Sequence, residues 1–164
     1  VLKIGANQEQ YWNLDRHAKP IKRRVEDACR DALLDRLRER LSLWHIDAQP
    51  EGHYADDTRA DIRVAFGGSG GFNVPIEIKR DCHRDLWSAM QEQLIARYTR
   101  DPGAAGYGIY LVFWFGGDGM PPNPAGTARP QTASDLEAQL GATLSGAQRQ
   151  LIQVCVVDVA KPVR

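Results

Sequence analysis

The sequence predicts an α/β domain with a mixed central sheet flanked by helices, and three patterns predict it. Apolar residues recur every three or four positions from Val25 to Trp44 and again from Leu86 to Tyr98, the period of an amphipathic helix. Two short segments between those helices, 60–66 and 72–79, alternate apolar and polar residues, the period of a strand with one face in the core. Residues Gly108 to Phe115 form an unbroken apolar run rich in β-branched and aromatic side chains, as expected of a strand buried on both faces. A chain of 164 residues fits one domain spanning 1–164.

Taken in order, residues 1–20 are mixed and polar. They run into a basic stretch, Arg16 to Arg24, in which five of nine residues are Lys or Arg and none is acidic. Pro20 suits the entry to the first helix, and Pro50-Glu51-Gly52 lies past its exit. The five residues 67–71, Gly-Gly-Ser-Gly-Gly, read as the turn joining the two alternating strands. Asp101-Pro102-Gly103 stops the second helix. That helix is a crossover, so the strands on either side of it are expected to be parallel with a right-handed connection. Residues 116–132 contain eight Gly or Pro in seventeen positions and read as an exposed loop. A weaker helix over 134–144 and a strand over 151–159 complete the chain.

Hydrophobic residues make up 43% and charged residues 26%, a globular composition that argues against disorder. The 21 Lys+Arg balance 21 Asp+Glu, so affinity for nucleic acid would need a local patch. No apolar run reaches the roughly 18 residues of a membrane span, and the N-terminus lacks a signal-peptide pattern. Of three cysteines, Cys29 and Cys155 sit in apolar periodic segments and Cys82 in a polar one, which favours free thiols and a cytoplasmic setting. The chain begins at Val1 without an initiator Met, as expected of an excised domain or a processed product.

The strand pattern sets a register. Pairing Phe66 with Phe72 places Val64 opposite Val74 and Ile62 opposite Ile76, all on one side. Asp61 then faces Glu77 on the other side, with β-carbons about 5 Å apart, and Lys79 follows on the same face. Two carboxylates so close repel unless a cation or proton intervenes. A divalent metal satisfies them, because magnesium takes carboxylates, waters and phosphate oxygens. A lysine beside it can orient water or stabilise developing phosphate charge. The same pair also reads as a solvated surface pair with Arg59 and Arg63 as partners.

Asp61 followed after fifteen residues by Glu77-Ile78-Lys79 resembles the signature of the PD-(D/E)XK nuclease superfamily, with Ala60 in place of the family's Pro. The element order over 21–115 is similar to that family's core: helix, antiparallel strand unit, crossover helix, strand. The resemblance implies a restriction-endonuclease-like core, a metal-dependent nuclease acting on nucleic acid with DNA favoured, and magnesium or manganese as cofactor. It makes Asp61, Glu77 and the Ile78 carbonyl metal ligands and gives Lys79 a role in activating water. It also implies a place within a larger bacterial protein and allows a homodimer. A nuclease-fold module that binds nucleic acid or assembles without catalysis is the alternative.

Further residues are candidates around that core. Stepping about 100° per residue from Val25 puts Glu26 at about 100°, inside the stripe spanned by Cys29, Leu33, Leu37 and Trp44. Many nucleases of the superfamily carry a helical glutamate that completes the acidic site. Glu26 is equally readable as a first-turn glutamate paired with Lys22 or Arg30, and Glu51 is a rival for the acidic role. Some branches place Gln and then Tyr on the crossover helix, and Gln93 fits the first position. Tyr98, five residues on, falls on the apolar stripe and reads as core. The basic runs Arg16–Arg24, Lys79-Arg80 and His83-Arg84 are candidate phosphate contacts. Cys82-His83 lacks a third orienting group for thiol catalysis.

Overall fold

The computed structural model describes residues 2–3, 9–53, 59–67 and 71–161. Its strands are β1 (Leu2–Lys3), β2 (Trp12–Leu14), β3 (Pro20–Arg23), β4 (Asp47–His53), β5 (Arg59–Phe66), β6 (Phe72–Arg80), β7 (Gly108–Trp114) and β8 (Ile152–Asp158). The helices are α1 (Glu26–Leu41), α2 (Ala133–Ala142) and the single turn α3 (Gln148–Leu151). Strands β4 to β8 form a mixed sheet in the order β8-β7-β6-β5-β4, extended beyond β8 by the two-residue β1. The β4-β5-β6 unit is antiparallel, and β6, β7, β8 and β1 run parallel.

Alternation along the parallel strands splits the core into two layers. Ile76 and Ile78 of β6, Leu111 and Phe113 of β7 and Val157 of β8 pack under Cys29 and Leu34 of α1. Tyr110, Val112 and Trp114 of β7 and Val154 and Val156 of β8 pack on the opposite face, against Leu136 and Leu140 of α2 and the crossover residues Leu86, Met90 and Leu94. Burial on both faces explains the unbroken apolar run of β7. Helix α2 starts cleanly because Thr132 and Asp135 form a reciprocal capping box.

The β5–β6 register is the one the hydrophobic pattern sets: Phe66 pairs with Phe72, Val64 with Val74 and Ile62 with Ile76. The turn that joins these strands lies largely outside the described residues. Several expectations need correction. The segment around Pro50-Glu51-Gly52, expected only to lie past the exit of the first helix, is strand β4, paired along β5; partner hydrogen bonds override weak strand propensity there. Pro20 opens strand β3, not a helix, and pairs with Leu14 in a separate two-stranded hairpin. Val25 and Trp44 are 64% and 70% exposed, so the core stripe of α1 is narrower than the sequence pattern. The crossover is not a regular α-helix: residues 81–89 are mostly turns, Met90–Ile95 is a π turn and Tyr98–Arg100 a 3₁₀ turn.

Asp81 closes the end of β6. Its side chain is fully buried, and its Oδ2 accepts from the Phe115 and Gly117 N–H groups, both at 2.8 Å. Burial pushes its carboxyl up, and those backbone donors with Arg23 pull it back. Replacing Asp81 by Ala orphans two buried donors, so Asp81→Ala is expected to lower stability by about 2–4 kcal/mol. Urea unfolding measures this, and a midpoint equal to wild type would refute the role.

Candidate active site

The site is built where β5 leaves β6. The ladder ends at Ile62 and Ile76, one pair short of Asp61 and Glu77. Beyond it, the Asp61 side chain substitutes for the partner strand: its Oδ2 accepts from the Ile78 N–H at 2.7 Å. Asp61 is therefore hydrogen-bonded to the β6 backbone, not merely set beside Glu77 as the register arithmetic anticipates. Its other oxygen, Oδ1, is left outside that bond.

Period two places Glu77 and Lys79 together on the crossover face of β6, and both are buried, 2% and 6% exposed. Lys79 Nζ donates to Glu77 Oε1 at 2.5 Å and to the Ile78 carbonyl at 2.9 Å. Glu26 arrives from the first turn of α1. Its Oε2 accepts from the Arg80 N–H at 3.1 Å, and its Oε1 lies 3.8 Å from Lys79 Nζ. Residues 51 positions apart and more thus surround one ammonium with oxygens from Glu77, Ile78 and Glu26.

Burial is the largest influence on each buried charge here. It pushes Glu77 up to about 7, reinforced by the Asp61 charge and opposed by Lys79. Asp61 is also raised by burial, against the pull of the Ile78 N–H, Lys79 and Arg30. For Lys79, burial favours the neutral amine, but Glu77, Glu26 and Asp61 together outweigh it and keep the ammonium. Lys79 and Arg30 are the cations that act on Asp61, Glu77 and Glu26, so carboxylates outnumber cations here. That electrostatic deficit would welcome a further cation.

Oxygen donors of this kind suit magnesium or manganese, which accept one or two carboxylates together with carbonyl, water and phosphate oxygens. Asp61, Glu77 and the Ile78 carbonyl are donors of that kind, and the Lys79 ammonium is seated on two of those three. Among the described residues, no three His, Cys, Asp or Glu side chains form a ready-made metal cluster.

The other candidates separate. Gln93 sits half-buried in the π turn, and among the described residues its side chain makes no hydrogen bond to Asp61, Glu77 or Lys79. Tyr98, read as core, is 7% exposed, and its hydroxyl is pushed up to about 12 by burial and then by the Glu77 and Asp61 charges. The π turn, in which the Ala96 N–H donates to the Gln91 carbonyl, adds a residue to the helical path and defeats a regular helical wheel. Glu51 is exposed and pairs with Arg30 at 3.5 Å and Arg59 at 3.6 Å, away from Lys79. His83 Nδ1 accepts from the Asp85 N–H at 3.1 Å and so serves a turn. Tyr110, paired in register with Glu77, donates its hydroxyl to the Leu86 carbonyl at 2.7 Å and holds the crossover to the site strand. A parallel register is needed to see that link, and the sequence pattern does not supply one.

A carboxyl raised in the folded state contributes stability that is complete below its unfolded pKa and is lost as pH rises through the folded one. For Glu77 the window runs from about 4.5 to about 7. The melting temperature of wild type relative to Glu77→Gln is therefore expected to fall as pH rises across that window. A difference that grows with pH would contradict the burial of this charge.

Comparison with known proteins adds a family and no function. A model of the Domain of unknown function (DUF8371) matches residues 4–117, which include Glu26, Asp61, Glu77, Lys79 and Gln93. No curated protein and no solved structure matches the chain. With most of its length under that match, the chain belongs to the DUF8371 family.

Proposed function

We propose that the chain is a metal-dependent nuclease with a restriction-endonuclease-like core, hydrolysing phosphodiester bonds of DNA. The observation that carries this is the convergence of Glu77, Glu26 and the Ile78 carbonyl about Lys79, with Asp61 bound to the Ile78 N–H beside them, at the edge where β5 parts from β6. The order of an antiparallel strand unit, a crossover and a parallel strand supports the same reading. Asp61, Glu77 and the Ile78 carbonyl are the groups that would hold magnesium or manganese. Such an ion polarises a phosphate and lowers the pKa of a bound water.

The protein's own contribution is orientation and charge. The Ile78 N–H fixes Asp61, and the Arg80 N–H fixes Glu26. Lys79 keeps its proton among carboxylates and offers N–H donors to water or to phosphate oxygens as negative charge builds on them. Gln93 remains a candidate hydrogen bonder from the adjoining π turn. One observation favours a second reading, a silent nuclease-fold module: Glu77 and Lys79 are almost wholly covered, while Asp61 and Glu26 are only half-buried.

Supercoiled plasmid is expected to be nicked with manganese and spared with chelator. Lys79→Met or Glu77→Gln should slow nicking at least about 100-fold while the fold, followed by circular dichroism, persists. Wild-type rates in both variants would remove the mechanism. Calorimetric titration with manganese should give binding to wild type that Asp61→Asn weakens at least about tenfold; absence of any heat, together with absence of nicking, would favour the silent module.

A further inference from the structure

A second feature lies where the parallel strands end. A cavity of ≈ 640 Å³ is walled by Trp12, Lys22, Arg23, Arg80, Phe115 and Lys161, among others. Four of its lining residues are cations and one, Asp118, is acidic, although the chain as a whole carries no net charge. Three separate parts of the sequence supply those cations: the β3 hairpin strand, the end of β6 and the segment after β8.

Each cation is held differently. Arg23 stacks over the Phe115 ring at 5.7 Å, donates to the Asp118 carbonyl at 2.7 Å and lies 3.8 Å from carboxylate oxygens of both Asp118 and Asp81. Lys161 Nζ lies 5.0 Å from the centre of the Trp12 ring. Arg80 donates from Nη1 to the Arg24 carbonyl at 3.1 Å, and its buried Nε has no partner. Among the described residues, Lys22, Arg80 and Lys161 have no carboxylate within ion-pair distance, so their charges are uncompensated. The Trp12 Nε1–H donates to the Val159 carbonyl at 2.8 Å and fastens the hairpin over the strand ends, so the wall is preorganised.

Arg80 joins this cavity to the acidic corner, because it follows Lys79 directly and its N–H is held by Glu26. Strands β6 and β8 are separated by β7, so their ends stand about 10 Å apart. That span is longer than a single phosphate needs. Trp12 and Phe115 are only 4% exposed, with their rings already facing cations, which leaves no free face for base stacking.

We propose that this cleft seats a run of DNA backbone leading away from the acidic corner and that it binds phosphates without reading bases. The choice of DNA as the polyanion rests on the nuclease reading; the cationic cleft itself does not. Affinity for a labelled 20-nucleotide single strand, measured by fluorescence anisotropy in chelator, is expected to fall about tenfold or more in the double variant Lys22→Gln/Lys161→Gln. The slope of log affinity against log salt should lessen by about 1.4, two contacts at about 0.7 each. The exposed pair Arg40→Gln/Arg149→Gln, which lines no part of the cleft, changes charge equally and is expected to lose no more than about twofold. Strands of different base composition should bind alike. An absence of DNA binding by wild type, equal losses in both double variants, or saturation by thymidine monophosphate would overturn the proposal. Cleavage is not needed for this readout, so a failure of plasmid nicking would remove the nuclease reading and leave the cleft standing.

Discussion

The structure turns on one ammonium group kept inside the protein. Lys79 is carried on a strand buried on both faces, where neither it nor Glu77 is stable alone. Removing either charge from water costs several kcal/mol, and their attraction offsets this only with good geometry and further hydrogen bonds. The geometry is supplied by chain segments far apart in sequence: Glu77 beside it on β6, the Ile78 carbonyl beneath it and Glu26 from the first turn of α1. A hydrophobic pair would fill the same space at less cost. An arrangement this expensive is understandable if the exchange of one cation for another at those oxygens is what the protein uses.

The remaining architecture fixes the edges of that corner. The β5–β6 ladder would close the gap between Asp61 and Glu77 if it continued, and Asp61 stops it by taking the Ile78 N–H through its side chain. Asp81 then turns the chain at the far end of β6 and binds the backbone leaving β7. The crossover packs against the same face through Leu86, Met90, Leu94 and Tyr98, and the Tyr110 hydroxyl holds it there. Its π turn is a departure from regular helix on the same face of the sheet as Glu77 and Lys79, and π turns often occur at functional sites because they redirect side chains that an α-helix would align elsewhere.

Charge is divided between two neighbouring places. Carboxylates gather around the Glu77–Lys79 end of β6, and cations gather at the strand ends, where the β2–β3 hairpin folds down. Period two on a single strand makes the division, since Lys79 points to one face and Arg80 to the other. A polyanion would be repelled by the first place without a bound cation and attracted by the second. The order of events at such a surface would thus be binding along the cationic wall and approach to the acidic corner only with metal in place.

Local pattern alone determined a good deal of this protein. Alternation in 60–66 and 72–79 set the β5–β6 register, because a slip of one residue would turn Ile62, Val64, Val74 and Ile76 to the wrong face. The same arithmetic brought Asp61, Glu77 and Lys79 to one corner, and the 3.6-residue period brought Glu26 toward the sheet. What the pattern did not carry was decided by partners distant in sequence. Strand β4 exists because β5 offers its free edge, against a composition of Pro, Glu and Gly. The crossover leaves the regular wheel at a π turn, where the Ala96 N–H reaches the Gln91 carbonyl. Lys161 and Lys22 share one wall because a tryptophan near the N-terminus hydrogen-bonds beyond the end of β8. Periodicity reports only how a segment faces its own core; which segments meet is settled by packing and hydrogen bonding across the whole sheet.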